Sequence, residues 1–117
     1  MYERHIVGRN GEKIALDYLE KEGYKILEKN FSCRQGEIDL IAFDNDYIVF
    51  FEIKSRTGIE YGLPSEAVTG KKINHILKAA SYYLYKHHLE DANTRIDVIE
   101  VYFKGKNYKI NHLKQVL

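Results

Sequence analysis

Cysteine occurs once in this chain, as Cys33, so no intramolecular disulfide can form and no multi-cysteine zinc site exists. A reducing, cytoplasmic setting is therefore expected. Charge of one sign is also missing: 18 basic against 17 acidic side chains leave a net charge of +1, which excludes a global field for nucleic acid and requires a local basic patch for any such partner. No run of eighteen apolar residues occurs, so neither a transmembrane helix nor a membrane partner is expected. The opening MYERHIVGRNGEK is polar and lacks the long apolar core of a signal peptide. Internal repeats, low-complexity tracts and Pro/Gly/Ser linkers are absent too, so the 117 residues are expected to form one domain, 1–117. With 44% hydrophobic and 30% charged residues, the composition is that of an ordinary soluble protein with a real core.

What is present is concentrated in Gly36 to Arg56, GEIDLIAFDNDYIVFFEIKSR. Alternation puts Glu37, Asp39, Ile41 and Phe43 on one face of a first strand, and Ile38, Leu40 and Ala42 on the other. A second strand, Tyr47 to Lys54, alternates likewise, with Val49, Phe51 and Ile53 opposed to Ile48, Phe50, Glu52 and Lys54. Between them Asn45-Asp46 suits the positive φ of a two-residue hairpin turn. That turn pairs Asp44 with Tyr47, Ala42 with Val49, Leu40 with Phe51 and Ile38 with Ile53, making one face wholly apolar. On the other face the same register sets Asp39 opposite Glu52 and Glu37 opposite Lys54. Both faces are apolar near the turn, as in central strands covered on two sides, and the far end is charged. Opposed carboxylates repel unless they share a proton or a cation, and a divalent metal such as Mg²⁺ is the simplest resolution.

Residues 8–22 are expected to form a helix with Ile14, Ala15, Leu16, Tyr18 and Leu19 as its apolar stripe, starting at Gly8 or Asn10 and closed by Gly23. Glu12 falls within the arc of Ala15, Leu16 and Leu19. It either complements the dipole of the helix N-terminus or leans over the sheet toward Asp39 and Glu52. Tyr24–Cys33 is expected as an edge-like strand entering the turn Arg34-Gln35-Gly36. Thr57–Pro64 is expected as a loop beside the charged end of the hairpin. A long helix follows over about 65–89, with Val68, Ile73, Ile76, Leu77, Ala80 and Leu84 buried. Lys71, Lys72, Lys78 and Lys86 occupy its other faces. Residues 95–103 and 108–112 complete the order helix, three strands, helix, two strands, an α/β sandwich with a mixed sheet flanked by helices. Lys71, Lys72 and Lys78, with Arg34 and Arg56, are the candidate phosphate contacts. Cys33 is expected as a small packing residue, and the tyrosines around Tyr82-Tyr83-Leu84-Tyr85 as helix packing or as stacking platforms for bases.

An Asp followed about a dozen residues later by Glu-x-Lys in an apolar strand meets the needs of phosphodiester hydrolysis. Two carboxylates hold a cation, and a nearby ammonium positions water or neutralises developing charge. GEIDLIAFDNDYIVFFEIKSR resembles the D…ExK signature of the restriction-endonuclease-like nuclease superfamily. Together with Gly11-Glu12 and Val68-Thr69-Gly70-Lys71-Lys72 it resembles the bacterial YraN-like family, which is similar to archaeal Holliday-junction resolvases. The resemblance covers about Gly8 to Tyr102, with Ile38-Asp39 in place of the superfamily's Pro-Asp.

It implies Asp39 and Glu52 as ligands of Mg²⁺ (or Mn²⁺), the Ile53 backbone carbonyl as a further ligand and Glu12 as an acid acting through water. Lys54 is implied as the catalytic lysine, and Glu37 stands beside the site. It further implies an endonuclease on DNA, including branched or structured DNA, and is compatible with a homodimer. Two other readings stay open: a nucleic-acid-binding module that does not cleave, and a structural ion network in a small interaction protein.

Overall fold

The computed structural model describes residues 2–57 and 70–117, with residues 2–9 as backbone only. Its elements are α1 (Tyr2–Lys21), β1 (Lys25–Cys33), β2 (Gly36–Asp44), β3 (Tyr47–Thr57), α2 (Gly70–Lys86), β4 (Asn93–Lys104) and β5 (Asn107–Leu113). This is the order expected of the restriction-endonuclease-like α/β sandwich. The five strands lie across one mixed sheet in sequence order; β3 and β4 are parallel, with α2 in their connection, and the other neighbours are antiparallel. Most of the expected glycine loop, and the helix start from Ser65 to Thr69 with Val68, lie outside the described residues. No described helix is long and apolar enough to cross a membrane.

The first helix begins at Tyr2, well before the expected Gly8 or Asn10. Nothing in residues 2–7 breaks a helix, and Gly8 is tolerated inside one at a cost of about 1 kcal/mol. Glu12 therefore sits mid-helix, which removes the dipole reading of its position. The helix closes as expected at Gly23, φ 94°: the Gly23 N–H donates to the Glu20 carbonyl at 3.1 Å, and the Tyr24 N–H to the Leu19 carbonyl at 2.9 Å. Ala15 and Leu19 are buried against the sheet. Gly11 lets α1 approach β3 closely, since a Cβ there would collide with the Ser55 hydroxyl and lie 3.3 Å from the Ser55 Cβ. Gly11→Val is expected to cost about 1–3 kcal/mol by overpacking this contact, read as a lower midpoint in urea unfolding.

The sheet is covered on both faces. On one face α1 packs Ala15 and Leu19 over Leu40, Ala42, Val49, Phe51, Ile99 and Val101. On the other, α2 packs Ile76, Ala79, Ala80 and Tyr83 over Phe31, Ile41, Ile48, Phe50 and Ile96, with Cys33 packed alongside as expected. On α2 the buried stripe differs from the expected one. Tyr83 turns inward, its ring edge-on to Phe31 and Phe50 at 5.3 and 6.0 Å between centroids, while Leu77 faces out. The helix ends at Lys86, three residues before the expected Leu89, because His88 takes φ 57° and Leu89 N–H reaches back to the Leu84 carbonyl.

The hairpin has the expected register near its turn, with Asn45 at φ 54° and the pairs Asp44–Tyr47, Ala42–Val49 and Leu40–Phe51. Beyond Leu40–Phe51 the ladder stops, which overturns the expected pairs Ile38–Ile53, Asp39–Glu52 and Glu37–Lys54. Glu37 pairs instead with Ser32 of β1, and Lys54 lies in register with Glu100 of β4. The reason is a change of face at Asp39: Ile38 joins the layer under α2, whereas Leu40 and Ala42 lie under α1. In β1, Asn30 at φ 52° falls between the pairs Lys29–Leu40 and Phe31–Ile38, so both strands turn at the same level. β2 and β3 thus diverge as a fork at their charged ends.

A buried polar network lies at the other end of the α1 layer. Asp97, fully buried, accepts two hydrogen bonds from Arg95 at 2.9 and 3.0 Å and one from the Gln115 N–H at 2.9 Å, and contacts His112 Nε2 at 2.7 Å. Arg95 also donates to Asp44 and to the Tyr24 hydroxyl, and His112 Nδ1 meets the Tyr18 hydroxyl at 2.9 Å.

Candidate active site

The fork brings the sequence-predicted acids together without making them cross-strand partners. Asp39, freed from the ladder with β3, turns its carboxylate into the gap and accepts the Ile53 N–H on Oδ2 at 2.8 Å. Glu52, one residue earlier on β3, is 4% exposed. Its Oε1 lies 3.4 Å from the Lys54 ammonium and 3.3 Å from that of Lys72, so α2 reaches the site through its first turn. Lys72, expected among the phosphate contacts, thus belongs to the acid pair. Lys71, Lys78 and Arg34 are exposed, as a phosphate contact requires.

Burial first, and then the Glu52 charge, push the Asp39 carboxyl up to about 6, against the pull of the Ile53 N–H, Lys72 and Lys54. Glu12 is exposed on α1, and partial desolvation followed by the Asp39 charge raises its carboxyl as well. That coupling is what the leaning of Glu12 toward the fork predicts. Among the described residues no three His, Cys, Asp or Glu side chains gather into one ligand set, so the fork acids act as a pair with Glu12 outside it. Two carboxylates, an all-oxygen donor set, suit a hard divalent cation such as Mg²⁺.

The raised Asp39 value has a consequence for stability. The unfolded chain releases this proton near the ordinary 3.8 and the folded protein retains it to about 6, so folding is favoured below the lower value and loses that advantage as pH rises between the two. Wild type is therefore expected to lose about 1–3 kcal/mol relative to Asp39→Asn between pH 4 and pH 7. Denaturant titrations of both proteins at these pH values, without divalent metal, measure it; equal stability differences at the two pH values contradict it.

Sequence reasoning missed Glu100. It is fully buried on β4, in register with Lys54, and accepts a hydrogen bond from Asn111 Nδ2 at 2.9 Å on Oε1. Its other oxygen lies 4.0 Å from Arg56 Nε. Arg56, assigned from sequence to phosphate binding, thus faces a buried carboxylate at a distance too long for a hydrogen bond, with 19% of its side chain exposed. The available signal was an acid in the middle of the apolar run Val98 to Tyr102, since a buried charge requires a partner.

With this geometry in hand, comparison with other proteins gives a consistent outcome. The YraN-like family described as "Uncharacterised protein family UPF0102" matches residues 11–101. The chain is 50% identical over 110 residues to a UPF0102 protein of Caldanaerobacter subterraneus subsp. tengcongensis, covering 92% of this chain and 90% of that one. It is 49% identical over 106 residues to a UPF0102 protein of Clostridioides difficile, covering 91% of each. A UPF0102 protein of Geobacter metallireducens is 49% identical over 107 residues, covering 92% of this chain and 88% of its own. The family match spans Glu12, Asp39, Glu52, Lys54 and Glu100 and stops before β5.

Proposed function

The chain belongs to the UPF0102 family, and from the chemistry of its β2–β3 fork we propose that it is a metal-dependent endonuclease acting on DNA phosphodiesters in the cytoplasm, branched or structured DNA included. The observation that carries this reading is the pairing of two acids in one fork, Glu52 buried and Asp39 half-buried. Glu52 is 4% exposed, and Asp39 beside it binds its proton up to about 6. A surface with no use for a cation gains nothing from such a pair.

Asp39 and Glu52, the Ile53 carbonyl, and Glu12 through water are the groups that would hold Mg²⁺ or Mn²⁺, which when bound supplies Lewis acidity at the phosphoryl group. The remaining work falls to the chain. The Ile53 N–H keeps Asp39 oriented toward the gap. Lys54, on the rim of the fork, neutralises charge developing on the phosphoryl oxygens and positions the attacking water. Arg34, Lys71 and Lys78 hold the flanking backbone, with Arg56, whose Nε lies 4.0 Å from the buried Glu100, beside them. A homodimer would present two such forks to two strands.

One observation favours a second reading, a nucleic-acid-binding module that does not cleave: Lys54 and Lys72 already neutralise Glu52 from two sides. Incubation with single-stranded, duplex and four-way-junction DNA under Mg²⁺ or Mn²⁺ separates the two. Metal-dependent cleavage lost in Asp39→Ala and in Lys54→Ala is expected. Tight binding with no cut product on any substrate, and no heat of metal binding in calorimetry, would establish the binder instead.

A further inference from the structure

The outer face of α2 carries a second apolar stripe that the core does not use. Leu77, Tyr82 and Tyr85 are 37%, 41% and 67% exposed. With Asn74, Lys78 and Ser81 they recur at helical spacing along one side of a groove of about 650 Å³, and Gln35 closes it from the β1–β2 turn. The groove is held in shape. A Cβ on Gly36 would lie 3.3 Å from the His75 Cβ, so the turn is seated directly on the helix, and Tyr82 lies nearly parallel to Phe31, 29° between ring planes.

Every feature of this lining suits an unpaired nucleotide strand. Among the described residues no acidic side chain lines the groove. Its cation, Lys78, can meet a phosphate, its aromatic rings offer π-faces, and Gln35, Asn74 and Ser81 carry donors and acceptors for base edges. The stripe is also long enough for a short strand. From Asn74 to Tyr85, at a rise of 1.5 Å per residue, it runs about 17 Å along the helix. At the roughly 3.4 Å spacing of stacked nucleotides in one strand, that is about five nucleotides. A paired base cannot stack on these rings, because in a duplex its faces are covered by its neighbours.

We infer that the groove along α2 is a subsite for single-stranded DNA, stacking unpaired bases on Tyr82 and Tyr85. It rests on the reading of the fork as a phosphodiester site for the class of polymer, and on the groove alone for the unpaired state of its occupant. The occupant it selects is an unpaired flank, such as a gap, tail or branch supplies.

Fluorescence anisotropy of a labelled twelve-nucleotide oligo-dT, against a blunt duplex of the same length, tests it in EDTA, where cleavage cannot intervene. Tyr85→Ala is expected to weaken oligo-dT binding about five- to hundred-fold and to leave duplex binding unchanged. Tyr85→Phe is expected to retain the single-strand affinity, since the ring and not the hydroxyl does the stacking. The inference is overturned if Tyr85→Ala binds oligo-dT as wild type does or weakens both ligands equally. It is equally overturned if sedimentation shows a wild-type dimer that Tyr85→Ala dissociates, because a second copy would then cover the groove. Absence of cleavage on every substrate would remove the nuclease reading and leave this binding result standing.

Discussion

Replacing Asp39 by Asn is expected to remove the proposed metal-dependent strand cleavage, by about 10³-fold or more if the fork acids hold the cation, since several kcal/mol of transition-state stabilisation is lost at about 1.4 kcal/mol per ten-fold. Lys54→Ala is expected to lower the proposed rate by about 10²–10³-fold, the usual cost of deleting one preorganised electrostatic group. The two changes leave different marks on the resting protein. Asp39→Asn relieves a carboxylate that burial and Glu52 disfavour, so it raises the melting temperature at neutral pH while it destroys activity. Glu52→Gln does the reverse to the fold, leaving two ammonium groups that now meet on one oxygen without their counter-charge. A structural ion network predicts loss of stability from either acid. Thermal melts and cleavage rates on the same variants decide between the two accounts, and a lowered melting temperature in Asp39→Asn counts against a functional pair.

Asp97→Ala is the substitution expected to damage the fold most, by about 3–5 kcal/mol, the usual cost of breaking a buried pair and stranding one partner. Asp97 is fully buried, and Arg95, whose side chain is 11% exposed, loses two of its hydrogen bonds when the carboxylate goes. The Gln115 N–H and His112 lose their acceptor at the same time, so the C-terminal segment is tied to β4 less firmly, with the bond from the Val116 N–H to the Ile96 carbonyl remaining. A fall in melting temperature of about 10–20 °C follows for a domain of this size. Burial works to raise the Asp97 carboxyl, but the hydrogen bonds from His112, Arg95 and the Gln115 N–H outweigh it and hold the group below its ordinary value. The stability it lends is complete above the ordinary value and disappears as pH falls through the lowered one, which adds to unfolding in strong acid.

Which of these features could be read from the chain depends on the range of the interaction. The hairpin turn and the pairs up to Leu40–Phe51 follow from Asn45 and from alternation on two adjacent strands, both local. The divergence at Asp39 does not, because it needs Asn30 in β1 to turn at the same level, and alternation within one strand cannot register that. The arc of Glu12 on α1 was legible as a lean toward the fork, whereas Lys72 was legible as a charged residue and not as a partner of Glu52, because α2 meets the β2–β3 fork only after packing on the sheet. On α2, apolarity alone assigned Leu77 to the core. Tyr83 holds an inward position because Phe31 and Phe50 leave a ring-shaped space there. The Asp97 network joins α1, β2, β4 and β5, and its parts lie up to 94 residues apart, beyond any periodicity argument.

The kink at Asn30, introduced as the partner of the fork, also bears on how this protein behaves in a crowded solution. β1 is an outermost strand, and a long flat outermost strand offers a row of amides and carbonyls on which another chain can add. Here the register shifts between Ile26 and Glu28, and three residues after Leu27 the backbone turns left-handed. No stretch of β1 keeps a straight row of free groups long enough to template a neighbour. The distortion that opens a gap for chemistry on one side of β2 also guards the sheet's border against amyloid-like stacking.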